Sequence, residues 1–301
     1  MSAPHSPIGS RRRLGAELRR LRTKSGLTLD DVAERMTCST SKISRLETGK
    51  GIPKVPDVRE LMRIYEVGSD TEQEMLLRLV HDGREAGWWE PYVEGLQPEK
   101  FVMDTVSRYA ALETEASRVR AFEPTWVHGL LQSADYARVL LRAVLDDSHD
   151  VDEIEQLVEM RMRRQEALLQ RRAPLDLQVV LDESVLARTL GDGALTAAAL
   201  RHVLDRAALP TVELRVLPLT AGAQRAQVGP VAVLEFPRGS GADLVFLEGH
   251  SGGTLLETPK DVIVYKSVLD DVWSAALSPG ESQDVIRRYQ HEHASHGRTT
   301  S

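Results

Sequence analysis

LTLDDVAERMTCSTSKISRLETG, residues Leu27–Gly49, is the stretch whose reading decides the fold of the N-terminal part of this chain. It predicts two short amphipathic helices joined by a tight turn. The first spans roughly Thr28 to Met36, with Thr28 as N-cap. Asp31, three residues on, completes a capping-box pair and sets a carboxylate near the positive end of the helix dipole. Leu29, Val32, Ala33 and Met36 recur at i, i+3, i+4 and i+7 and share one face. Thr37, Cys38 and Ser39 are too polar and too few for anything but a turn. A second helix starts at Thr40, with Ser39 as its cap, and stops at Thr48-Gly49. Ile43 and Leu46 face inward, which leaves Thr40, Ser41, Lys42 and Arg45 outside.

A helix with an apolar inner stripe and short donor groups outside suits the DNA major groove. Arg and Lys reach guanine O6 and N7, while Ser and Thr donate to or accept from several base edges. The helix before it would cross the backbone and aim its first N–H groups, at Thr28, towards a phosphate. Periodicity alone leaves open a helical hairpin that merely packs. SKISRLETG preceded by LTLDDVAERM resembles the helix-turn-helix of the Cro/C1 phage-repressor class, the XRE regulators. The resemblance implies that Glu47 is structural, that Gly49 ends the recognition helix, and that Arg22 on the preceding helix meets a phosphate. The basic loop Lys50-Gly51-Ile52-Pro53-Lys54 is of the kind that touches the backbone beyond that helix, through Lys50 and Lys54.

At 301 residues, with 42 % hydrophobic and 28 % charged residues, the chain has the composition of a soluble globular protein of two or three domains. Its one cysteine, Cys38, cannot form an intramolecular disulfide, which suits a reducing cytosol and a nucleoid-associated location. No apolar run is long enough to span a membrane, and no secretory signal is expected. The net charge of −7 hides a division: residues 1–54 carry 12 Lys/Arg against 5 Asp/Glu, and the remainder 26 against 40. A basic head on an acidic body can still bind DNA, because phosphate attraction is screened over about 10 Å at moderate salt.

In chain order, residues 1–10 are expected to be a disordered tail. Residues 11–86 form a five-helix DNA-binding bundle opening on Leu14, Leu18 and Leu21. Residues 87–99 form a hinge, in which Trp88 and Trp89 either stack on a ligand or anchor one domain on the next. A long helix is predicted from Lys100 to Phe122. The segment FEPTWVHGLLQSADYARVLLRA resembles actinobacterial regulators of the WhiJ-like group, which join a Cro-type head to a second, sensor or antitoxin-like domain. Within it Glu123, Trp126, Gln132 and Tyr136 describe either a buried corner or the wall of a signal or partner pocket. Beyond Pro174 the period shifts towards 2, and short strands around 175–181, 212–217, 231–236, 244–249 and 253–257 precede two closing helices.

The expected fold is therefore α+β, with an all-α head and a C-terminal domain over 100–292 of helices plus a small, mainly antiparallel sheet. Residues 293–301 read as a frayed tail. Asp182, Glu183, Glu235, Glu248 and Glu257 read as turn caps and outward strand residues rather than an acid/base pair, and no catalytic residue is assigned. His291, His293 and His296 have a spacing a divalent metal could use but read as solvated, so neither metal nor cofactor is expected. The function expected is a homodimeric regulator binding a double-stranded operator. Its body would receive a small-molecule effector or, alternatively, capture a small partner protein in the manner of an antitoxin.

Overall fold

The computed structural model describes residues 6–93, 103–145, 150–169, 173–249 and 252–296. The head is built from α1 (Pro7–Lys24), α2 (Leu29–Arg35), α3 (Thr40–Glu47), α4 (Val55–Ile64) and α5 (Asp70–Asp82). Each short helix is fixed at its start by the residue that sequence demands. Thr28 and Asp31 form a reciprocal capping box on α2, Ser39 accepts from Lys42 N on α3, and Ser69 accepts from Glu72 N on α5. Leu14, Leu18, Leu21, Val32, Ile43, Leu46, Val58, Leu61, Leu76 and Val80 close one core. Gly15 lets α1 lie against the end of α3: a Cβ there would stand 2.6 Å from the carbonyl oxygens of Leu46 and Glu47.

Helix α1 also reaches the rest of the chain. It begins at Pro7, inside the stretch expected to be a disordered tail, because Ser6 is a working N-cap that accepts from Gly9 N. The same buried hydroxyl donates to Ala111 O at 3.0 Å, and Ile8 packs on two clusters of the body. Residues 1–5 lie outside the described residues.

The body follows as α6 (Glu90–Val93), α7 (Met103–Glu115), β1 (Arg118–Glu123), α8 (Ala134–Val144), α9 (Val151–Leu169), β2 (Asp176–Asp182), α10 (Glu183–Ala187), α11 (Gly193–Ala207), β3 (Val212–Leu217), β4 (Val231–Glu235), β5 (Leu244–Gly249), β6 (Gly252–Leu256), α12 (Pro259–Ala275) and α13 (Pro279–His296). The six strands form one sheet in the order β3-β2-β1-β4-β5-β6. β1, β2 and β3 pair in parallel, and β4, β5 and β6 join antiparallel. Strand alternation sends Val119, Ala121, Val179 and Leu234 to one face, covered by α7, α8, α9, α11 and α13. Phe122, Val180, Val233 and Val245 go to the other face, under α12.

The α+β class is as expected, with corrections inside it. The long helix expected to Phe122 ends at Glu115, and RVRAFE is a central strand of the sheet. Val119 satisfies a helical stripe and a strand alternation alike, and only pairing with residues far along the chain decides between them. The hinge expected over 87–99 is described only to Val93. At the other end, the frayed tail expected from His293 is the last turn of α13, and His293 is buried with Nε2 facing Leu186 O at 2.8 Å. His291 turns instead to Arg287 O, and the side chain of His296 lies outside the described residues.

Candidate nucleic-acid interface

Helix α3 presents Ser41, Lys42 and Arg45 to solvent, with Ile43 and Leu46 buried behind them. The four residues expected to read bases are not equally free. Thr40 Oγ1 donates to Asp30 Oδ1 at 2.8 Å, tying α3 to α2, and Lys42 Nζ lies 2.9 Å from Asp57 of α4. Ser41 and Arg45 have no side-chain partner among the described residues. They stand one turn apart on the exposed face.

Of the residues expected at phosphates, Lys54 is exposed at the start of α4 and unpaired among the described residues. Lys50 Nζ lies 2.9 Å from Glu257, just after β6. Thr28 is engaged locally: its N–H and hydroxyl both donate to Asp31 Oδ2, at 2.7 and 2.6 Å, which holds that carboxyl below its usual pKa. A phosphate arriving at this helix start would meet a carboxylate already in place.

Arg22 requires a correction. Its Nε and Nη2 donate to Glu47 Oε1 and Oε2 at 2.6 and 3.0 Å, and its Nη1 donates to Leu27 O at 2.9 Å. With side chains only 13 % and 5 % exposed, this fork-to-fork pair clamps α1 to the end of α3 instead of standing free for a phosphate. Two further partners, Asp57 for Lys42 and Glu257 for Lys50, carry no signal in the sequence, since only the tertiary fold brings each to its lysine.

Residues 13–76 match the helix-turn-helix domain family, so the head is a DNA-binding domain of that kind. Residues 106–288, more than half of the chain, match a family described as a domain of unknown function, DUF5753. The chain belongs to the DUF5753 family. Neither a curated protein nor a solved structure matches it. Among the described residues no helix is long and apolar enough to cross a membrane.

The remaining candidate residues lie in two places, one before the DUF5753 match and one within it. Trp88 and Trp89 meet edge to face at 6.0 Å, and Trp88 Nε1 donates to Thr114 Oγ1. Trp89 is buried on Ala110, Ala111 and Met160, anchoring the junction to α7 and α9. Glu123, Gln132 and Tyr136 surround the turn after β1. Tyr136 Oη accepts from Val127 N at 3.2 Å, and Gln132 Nε2 donates to Val127 O at 2.6 Å. Gln165 Nε2 donates to Gly129 O and Gln132 O, so α9 staples the same turn. Trp126 lies at its rim, 5.9 Å from the Arg188 guanidinium. Replacing Tyr136 by Phe is expected to leave Val127 N–H buried without an acceptor and to cost about 1–3 kcal/mol, read as a lower melting temperature with duplex binding kept in the cold.

Acid titration offers a second check on this corner. His128 Nδ1 accepts from Leu130 N, which puts the ring proton on Nε2, 3.9 Å from Glu123 Oε1. Burial, reinforced by Arg164 and Arg161, lowers His128 to about 3, whereas burial and Glu248 raise Glu123 well above the usual carboxylate range. A lowered histidine contributes stability that is present above about 6.5 and lost as pH falls towards 3. A raised carboxyl does the reverse, losing stability as pH rises above about 4.5. Between those two values the two slopes oppose one another, so this pair should leave stability flatter there than either group alone would. Glu123→Gln removes one side, and urea titrations of that variant should then show stability rising by about 1 kcal/mol per pH unit in the same window.

Proposed function

We propose that this protein is a sequence-specific transcriptional regulator in which α3 reads base edges through Ser41 and Arg45. Lys42 would join them once it leaves Asp57, and Lys50 and Lys54 would meet the backbone on either side of the loop that follows. The observation that carries this reading is an exposed guanidinium and hydroxyl, without partners among the described residues, on one face of a capped and rigidly backed second helix. The excess of cations over residues 1–54 supports it by supplying the sequence-independent part of the affinity. The body is read as the pairing and signal-receiving half. Two linked heads gain from effective concentration, which one head lacks.

Selection from a random-sequence duplex pool by the full chain tests the reading. A defined motif is expected, and Arg45→Ala should relax preference at about one base pair and cost about 1–3 kcal/mol on the selected site. Enrichment of no motif, or an Arg45→Ala variant with unchanged discrimination, would overturn the assignment of α3. Sedimentation of the full chain checks the pairing: a species that stays monomeric at duplex-saturating concentration rules it out.

A further inference from the structure

Between head and body lies a half-open cleft of about 1070 Å³. One wall is the face of α1 that carries Arg12, Arg19, Arg20 and Lys24, and Arg45 and Lys50 stand at the end of α3. Ile8 is the half-buried apolar side chain of the lining, with Leu112 and Leu244 buried behind it. Arg19, Lys24 and Arg45 have no ion pair or side-chain hydrogen bond among the described residues. The two acidic side chains of the lining are already engaged, Glu47 with Arg22 and Glu257 with Lys50. The space therefore carries a positive field against a low-polarity floor, which strengthens attraction for an anion over that at an open surface. Its size suits a small molecule, for which pockets of about 300–1,000 Å³ are usual.

We propose that this cleft is a binding site for a small polyanion with an apolar part, of the nucleoside polyphosphate class. Its phosphates lie along Arg19, Lys24 and Arg45, and its base and sugar lie against Ile8. Two of the groups involved, Arg45 and Lys50, are those assigned above to DNA, so an occupied cleft draws them away from the duplex and sets negative charge beside it. Ligand and DNA then weaken one another by the same factor. Binding of the anion stands by itself, while this regulatory half rests on the proposed DNA reading.

Calorimetric titration of the full chain with inorganic tripolyphosphate and with ATP, both free of metal, tests the site. Both are expected to bind, ATP tighter by about fivefold through the apolar floor. Arg19→Ala/Lys24→Ala, on the exposed side of α1, should weaken both by about tenfold or more. Arg59→Ala/Arg78→Ala, equally basic, exposed and outside the cleft, should change neither. No binding of either probe at about 1 mM, or equal losses in the two double variants, would overturn the site. Tripolyphosphate binding as tightly as ATP would overturn the ligand class. A third measurement repeats the duplex titration with saturating ATP. Weakened DNA binding supports the regulatory half, and unchanged DNA binding refutes that half alone, with the calorimetry still deciding the site.

Discussion

Glu47→Ala is expected to cost the head about 3–5 kcal/mol, because it strands the Arg22 guanidinium in a place water scarcely reaches. The loss exceeds that of an ordinary surface pair, worth about 0–1 kcal/mol, through the burial of both partners and the double hydrogen bond. Tyr65 lies beside the same pair: its buried hydroxyl has no hydrogen-bond partner among the described residues, and burial and the carboxylate raise the phenol. Urea unfolding followed by far-ultraviolet dichroism measures the effect. The double replacement Arg22→Met/Glu47→Leu should recover most of it, since removing both charges also removes the need to pair them. A single-variant loss below about 1 kcal/mol would show that the pair is solvated and that Arg22 is available to a phosphate after all.

Gly15→Ala should also destabilise the head, by less and for a different reason. The added methyl would meet the carbonyls of Leu46 and Glu47 at 2.6 Å, and neither these nor α1 can swing aside as a flexible side chain would. Overpacking of this kind costs about 1–3 kcal/mol, and relief comes by pushing the end of α3 outward. Because Arg45 sits on that last turn, duplex affinity should fall even at temperatures where the variant is fully folded. Folded Gly15→Ala protein with unchanged affinity would mean that α1 does not set the position of α3.

The helix-turn-helix was legible because its signals are local. Thr28, Asp31, Ser39 and Gly49 each act within one turn, and each stands where the sequence predicts. What was not legible depended on distance. Arg118–Glu123 reads as helix until β2 and β4 lie on either side of it, and its buried alternation appears only with those neighbours. His293 looks like part of a polar tail until the Leu186 carbonyl is beside it. In the candidate interface the outward residues of α3 could be listed from spacing, but not their availability. Spacing cannot tell that Asp57 reaches Lys42, that Glu257 reaches Lys50, or that Arg22 turns inward.

The first helix carries a mechanical consequence. Its opening turn is pinned to α7 through Ser6, and its middle is pressed on α3 at Gly15 with no flexible joint between. An 18-residue helix is a rod of about 27 Å. Tilting such a rod by about 10° about one end sweeps the other by about 5 Å, more than the rise of one base pair. The head is therefore geared to the body like a lever on a shaft, not hung from it by a tether. A rotation of α7 by about 10° would carry the far end of α1 through more than one base-pair rise and move α3 with it, and two such levers joined back to back would tolerate only one separation between half-sites.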